Sequence, residues 1–493
     1  LVQPLSRRNA LLLGGLGVAG TAVGAAGLAW TLTSRTAPVT EAALTHPAEL
    51  RSANGTLALE LEAARGRMQL AGRPATALGY NGGSPGPTLR LRAGDVLRVR
   101  LLNRLAEPTN LHVHGLHVSP QGNGDNVFVT VAPGASFDYE YGLPADHPPG
   151  VYWYHPHHHG MVAEQIFGGL FGAIVVEDAD PIPAAMDRVL MVSDTDLDAA
   201  GYVRSVSQAE RMAGREGGLV LVNGQSNPLL SALPGQRERW RLVNACVARY
   251  LRLQLDGQSL QLLGMDSGRY PSPVPVEEVL MAPGNRADLL VTTAAGESVL
   301  RAAYYDRGSM PGMMGRGSAG RDTTDPSRGV PLATLQVAGE PAAGPAGLPP
   351  RPAPADLRQV PVAARRQFLL AAGMNRGPMG GGGAGMMAFT INGREFDAAR
   401  TDTTVAAGSV EEWTVINTSP MDHPFHLHVW PMQLVSVNGE SPGSPAWQDV
   451  VNVPANGRVT VRTAFKDFTG KSAYHCHILD HEDLGMMGVI AVR

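Results

Sequence analysis

The sequence predicts an all-β protein built as three successive β-sandwich domains, and three observations carry the prediction. Across 493 residues there are 59 glycines and 38 prolines against only 17% charged residues, a mixture that favours short strands and many turns over long charged helices. One turn-and-strand pattern recurs three times at equal intervals, and each copy alternates apolar and polar residues with the period of two expected of a half-buried strand. At 44% hydrophobic residues, a chain of this length carries enough apolar side chain for several separate cores.

In chain order, residues 1–44 come first, as an export segment and linker. Arg7 and Arg8 precede a run from Ala10 to Trp30 in which Thr21 is the only polar residue, and this is similar to a twin-arginine signal. Such a signal places the working part outside the cytoplasm, in the periplasm, the cell envelope or the medium, with no stable membrane association after cleavage. A single membrane anchor is the other reading, because a run of 21 residues can span a bilayer. The net charge of -4, with no long Lys/Arg run, gives no electrostatic reason to expect nucleic acid as a partner.

The three copies follow. Asn81-Gly82 leads to Gly94, nine residues before Asn103; Asn223-Gly224 leads to Gly235, nine before Asn244; Asn392-Gly393 leads to Gly408, nine before Asn417. Domains are therefore expected at residues 45–180, 181–340 and 360–493, with the Pro/Ala-rich stretch 341–359 as a semi-rigid linker.

Counting nine and eleven residues from Asn103 reaches His112 and His114; the same count from Asn417 reaches His426 and His428. In the middle copy it reaches Leu253 and Leu255, so that domain is expected to act as a spacer without ligands. Later in the outer copies, each after a tyrosine, stand His155 with His157 and His475 with His477. Alternation in a strand points residues i and i+2 to one face, so each H-x-H pair aims two imidazoles the same way. A pseudo-twofold pairing of the first and third domains would converge all eight. Strand parity in "HPHHHG" also allows 157 with 159, and alignment on the tyrosine selects 155 with 157.

Imidazoles alone do not choose among zinc, copper, iron and nickel. The stretch "HCHILDHEDLGMM" does: Cys476, His481 and Met486 supply a thiolate, an imidazole and a thioether, and His423, just before the His426 pair, is the candidate second imidazole. Two imidazoles, a thiolate and a weak axial thioether form a blue-copper electron-transfer site, whereas zinc would have no use for the thioether. The other cysteine, Cys246, reads as a small buried apolar residue rather than a disulfide partner.

With "HVHG", "HPHHHG", "HPFHLH" and "HCHILDHEDLGMM" in this order and spacing, the chain resembles the three-domain bacterial multicopper oxidases, the family of laccases and cuprous oxidases, over essentially its whole exported region. The resemblance implies cupredoxin-like Greek-key domains and four copper ions. His423, Cys476, His481 and Met486 would bind the type 1 ion; His112 and His426 the type 2 ion; His114, His155, His157, His428, His475 and His477 the type 3 pair. It also implies the activity: one-electron oxidations of a small reducing substrate, coupled through Cys476 to four-electron reduction of O2 to water. Asp125 and Glu482 stand where similar enzymes keep acidic residues and are the expected proton carriers; as alternatives, Asp125 caps a turn and Glu482 is a solvated charge. The remaining histidines, His46, His117, His147, His158 and His159, are expected on the surface or against a ligand.

The reducing substrate has two readings. A laccase-like oxidase would take phenols or aromatic amines at an exposed edge of His423 or His481. A cuprous oxidase would collect Cu(I) on soft thioethers, and Met310, Met313, Met314, Met374, Met379, Met386 and Met387 fall in two Gly-rich segments suited to that. A non-catalytic copper-binding protein of the same fold is a third reading, opposed by ligands at all twelve positions.

Overall fold

The computed structural model describes residues 42–309, 329–374 and 387–493. The twin-arginine-type run and five of the seven clustered methionines (Met310, Met313, Met314, Met379 and Met386) lie outside the described residues. Among those described, no helix is long and apolar enough to cross a membrane.

The three Asn-Gly pairs form the same turn. Asn81, Asn223 and Asn392 have φ of 51°, 51° and 54°, and the glycines after them 77°, 80° and 73°. This double left-handed conformation belongs to the tight hairpin turn that Asn-Gly favours. The repeat asparagines nine residues past each later glycine also act alike. Asn103, Asn244 and Asn417 are buried, and each Oδ1 accepts the backbone N–H two residues on, from Leu105, Cys246 and Ser419. Each Nδ2 donates to carbonyls on both sides of a loop, as from Asn417 to Met421 and Val453. A buried amide with all these bonds made pins the chain just before it turns into the strand that carries the histidines.

Among the described residues six sheets result, in three pairs that follow the chain. In each pair the strand ending at the repeat asparagine runs parallel to an earlier strand: Val96–Asn103 with Thr56–Leu70, Arg237–Asn244 with Met186–Thr195, Val410–Asn417 with Ala364–Met374. Each also pairs antiparallel with a later one, Ser136–Gly142, Arg286–Thr292 or Arg458–Ala464. Each sandwich closes on its own core, represented by Leu61, Val99 and Tyr141 in the first, Trp240, Leu253 and Leu289 in the second, and Trp413, Phe425 and Ile490 in the third. We propose domain limits at 45–180, 181–340 and 360–493, which leave every sheet whole.

Strand register fixes the histidines. His112–His114 pairs antiparallel with Gly150–His155, setting His112 opposite His155; His423–Leu427 pairs with Gly470–Cys476, setting His426 opposite His475. The equivalent middle pair is Leu253 opposite Ala302, both buried. Strand alternation accounts for only one of the four H-x-H pairs, however. His157, His428 and His477 stand just beyond their strands, so those second rings converge because the chain turns at the sheet end.

Candidate metal centre

Cys476 closes its strand, His423 opens the neighbouring one, and His481 sits on the short helix Leu479–Asp483. His423 Nδ1 lies 3.3 Å from Cys476 Sγ and 3.3 Å from His481 Nδ1, and Sγ to His481 Nδ1 is 3.9 Å. The outward ring nitrogens are occupied: His423 Nε2 meets Ser419 Oγ at 2.8 Å, and His481 Nε2 donates to the Met212 carbonyl at 3.3 Å. Burial pushes the Cys476 thiol far up and holds both rings neutral, His423 at about 3. Met486 is buried in the same core, and its carbonyl accepts the Cys476 N–H at 3.0 Å. Phe389 stacks on His481 at 4.2 Å. Both His423 and His481 are fully buried, which corrects the expected exposed imidazole edge: the Met212 carbonyl and Phe389 cover the ring that would have offered it.

The eight paired histidines meet between the first and third sandwiches in three groups, the first two sharing His114: His112, His114 and His426; His114, His155 and His477; His157, His428 and His475. All are buried, and burial lowers the pKa of each, so the rings are neutral with one proton apiece. Much of the proton placement is fixed from outside. Nδ1 of His112 meets the Asp125 carboxylate at 2.9 Å, Nδ1 of His155 the Pro156 carbonyl at 2.8 Å, Nδ1 of His426 the Asp449 carbonyl at 2.7 Å and Nδ1 of His475 the Cys476 carbonyl at 3.0 Å. His114 is reversed: its Nε2 meets Asp449 Oδ1 at 3.0 Å.

Where the outward nitrogen is engaged, the inward one is a lone pair; no outside partner sets the proton of His157, His428 or His477. His112 Nε2, His426 Nε2 and both nitrogens of His477 are buried without a partner. His475 Nε2 lies 3.1 Å from His157 Nε2 and 3.0 Å from His428 Nε2. Converging buried imidazoles in threes, beside a two-imidazole thiol pocket, are the donor sets a soft or borderline transition metal takes, and a metal is what resolves the unmade bonds.

Two acids line this cluster. Asp125 is buried, also accepts the Val113 N–H at 3.1 Å, and is pushed up to about 8 by desolvation. Glu482 is fully buried rather than solvated. Its oxygens lie 3.1 Å from His475 Nδ1 and 3.5 Å from His157 Nε2 without hydrogen-bond alignment, and burial together with Asp483 raises its pKa well above the usual range. The other polar residues of that helix tie it down: Asp480 is bidentate with Arg215, and Asp483 accepts the N–H groups of Gly160, Val162 and Ala163.

The middle sandwich is more than a spacer. Arg286 is fully buried and donates to both carboxylate oxygens of Asp449 at 2.5 and 2.6 Å; Met212 caps His481; a Cβ on Gly284 would stand 2.8 Å from the His477 ring. Sequence reading missed Asp449, Arg286, Ser419 and Met212: Arg286 opens a strand of the middle sandwich, Met212 sits on a short helix, and Ser419 and Asp449 lie between strands of the third sandwich. The one local signal was a lone carboxylate in the apolar run "AWQDVVNV". Among the unassigned histidines, His147 is neither on the surface nor beside a ligand: its Nε2 accepts the His117 N–H at 3.0 Å inside the first sandwich. His117 bridges to the third sandwich through the Val429 carbonyl at 2.8 Å and Asp467 at 3.1 Å. Cys246 is free and buried, as expected.

Comparison with known proteins supplies the family. Three multicopper oxidase family models match residues 62–181, 152–321 and 366–493. A multicopper oxidase of Staphylococcus haemolyticus is 29% identical over 429 residues, covering 84% of this chain and 83% of the relative. The cell division protein FtsP of Sodalis glossinidius is 30% identical over 436 residues, 86% of each chain. Among solved structures, a multicopper oxidase of Campylobacter jejuni described as a metallo-oxidase superposes with a TM-score of 0.78 at 30% identity, covering 92% and 95% of the two chains. A laccase of Pediococcus acidilactici gives 0.77 at 25% identity, covering 92% and 94%.

Proposed function

Since the chain belongs to the multicopper oxidases, whose fold of three cupredoxin-like sandwiches it shares, we propose that it couples four one-electron oxidations of a reducing substrate to reduction of O2 to water. The observation that carries this reading is the pairing of a buried thiol–imidazole pocket with a cluster of neutral imidazoles along one chain segment, His475-Cys476-His477. In this proposal His423, Cys476, His481 and Met486 hold the type 1 ion, His112 and His426 the type 2 ion, and His114, His155, His157, His428, His475 and His477 the type 3 pair. Bound copper supplies one-electron exchange at the thiolate and multi-electron delivery to oxygen.

The chain's own part is orientation, dryness and protons. Cys476 joins the two sites covalently through its flanking histidines. Asp125 fixes the His112 tautomer so that Nε2 faces inward, and Glu482 stands close enough to His475 and His157 to hold a proton at the cluster.

The burial of His423 and His481 favours Cu(I) over a phenol as electron donor. An aromatic substrate gains most from touching an imidazole edge, and neither edge is open. With relatives named as cell division proteins, a non-catalytic copper-binding protein of this fold is the competing reading; a full ligand set is support for turnover. Export to the envelope follows from the twin-arginine-type run, again as our proposal.

The test is an oxygen electrode with copper-loaded protein, comparing Cu(I) with a phenol, before and after deletion of residues 374–387. We expect a visible thiolate-to-copper band that bleaches with reductant in the absence of air and returns with oxygen, faster uptake on Cu(I), and slower uptake on Cu(I) after the deletion. A colourless loaded protein, or no uptake with either donor, defeats the oxidase reading.

A further inference from the structure

Four of the cluster imidazoles have a fixed outward nitrogen of the same kind. His112, His155, His426 and His475 direct Nδ1 to an acceptor, and for His155 and His475 that acceptor is the carbonyl of the very next residue. Nδ1 lies close to the backbone, so a ring that presents Nε2 to the metal can be oriented by its own chain. A ring turned the other way presents Nδ1 and carries its other nitrogen at the far tip, beyond the reach of that carbonyl. Such a ring needs an acceptor from elsewhere in the fold.

His114 is that ring. Its Nε2 meets Asp449 Oδ1 at 3.0 Å, and its Nδ1 faces His155 Nε2 at 3.5 Å. Asp449 comes from the third sandwich and is held from the second by two separate handles. Arg286 Nη1 and Nη2 donate to Oδ1 and Oδ2, and Asp266 accepts the backbone N–H groups of Asp449 and Val450, both at 3.2 Å. Arg286 is itself fixed: Nε donates to the Val151 carbonyl at 3.2 Å, and its guanidinium lies 5.5 Å from the centre of the Tyr152 ring, both in the first sandwich. Gly115, next to His114, leaves the room, since a Cβ there would collide with the guanidinium and stand 2.9 Å from Asp449 Oδ2. The carbonyl of Asp449 meanwhile takes His426 Nδ1, and the rings of His114 and His426 stack at 4.0 Å with 6° between their planes.

We propose that Arg286 is a positioning residue of the trinuclear cluster: by clamping Asp449 with a two-pronged ion pair, it fixes the reversed ring of His114 so that Nδ1 faces inward as a ligand. The middle sandwich, to which none of the twelve proposed copper ligands is assigned, thereby builds one. The inference rests on the copper reading only for what the ring binds; the orientation itself belongs to the apoprotein. Its basis is the general one that a metal-binding histidine is set by the partner of its other nitrogen, and that only a guanidinium offers two parallel donors to one carboxylate.

The test begins without metal. Nitrogen-15 spectra of the metal-free chain, with His114 assigned by its loss in His114→Gln, should show a single neutral His114 tautomer with the proton on Nε2; a proton on Nδ1 overturns the proposal, and this needs no other variant. In Arg286→Met and Asp449→Asn the signal should split or shift toward the other tautomer. Affinity for the ion held by His114, His155 and His477 should then fall about 10- to 100-fold, read as copper lost on dialysis, while the visible thiolate band persists. Arg286→Lys keeps the charge but not the fork and should not restore the signal; full restoration by lysine overturns the two-pronged clamp, as does wild-type tautomer and copper content in the methionine variant. Should the parent chain bind no copper at all, the oxidase reading fails while the tautomer still decides this one.

Discussion

His475 and Cys476 are neighbours in the chain and face opposite ways. Cys476 Sγ stands 3.3 Å from His423 Nδ1 inside the third core, and His475 Nε2 stands 3.0 Å from His428 Nε2 between the first and third sandwiches. Strand pleating does this without any special geometry: one residue step reverses the face. Cys476→Ser is therefore expected to remove the visible band and one copper site, leave the cluster ligands in place, and reduce oxygen uptake to background. A serine variant that still consumes oxygen at the parent rate removes the thiolate from the electron path.

Glu482 and Asp125 touch the cluster without serving as its ligands in the proposed assignment. Replacing a proton carrier by its amide should slow oxygen reduction by about 10²- to 10⁴-fold while the visible band stays intact. Glu482→Gln and Asp125→Asn are the variants, and stopped-flow reoxidation of the reduced protein is the measurement. Unchanged reoxidation in both would leave Asp125 with its tautomer role alone and Glu482 with none.

Asp480 and Arg215 form a buried bidentate pair, 2.7 Å at its shortest, that fastens the helix of His481 to the middle sandwich. Removing one partner strands a charge, so Arg215→Ala should cost about 3–5 kcal/mol of stability, seen as a lower midpoint in denaturant. Arg215→Met with Asp480→Leu should recover much of that, because the desolvation penalty goes with the charges. A single variant as stable as the parent contradicts the buried-pair reading.

His147 lies away from the metal sites and is lowered to about 4, chiefly by burial. A histidine whose folded pKa is depressed contributes stability that is present above the unfolded value near 6.5 and is lost as pH falls toward the folded value. Between those limits the unfolded chain binds the extra proton, so this one ring should cost up to about 1.4 kcal/mol per pH unit. Apoprotein denaturation at pH 7 and pH 5 should show a shallower acid loss in His147→Gln. Equal slopes would mean that the ring is protonated in the folded state as well.

The fold and the ligands were legible to different depths. The repeat was plain because its Asn-Gly turns need positive φ twice and its buried asparagines need three fixed bonds, and such local demands leave few residue choices. The places of the eight paired histidines followed from repeat spacing, although only His112 and His114 share a strand; the other second rings arrive where the chain leaves the sheet. The substrate face was not legible. Nothing beside His481 in sequence announces that Met212, 269 positions away, covers its outer nitrogen.

By itself the sequence determined what is local or periodic: strands, turns, three sandwiches, and a thiol set between two imidazoles of opposite aim. Tertiary structure alone decided that Nδ1 of His114 faces inward, because its acceptor comes from far along the chain, whereas His155 and His475 are set by the carbonyl of the next residue. For His114 the acceptor is a carboxylate from one sandwich held by a guanidinium from another, and no spacing along a chain encodes an ion pair between residues 163 positions apart.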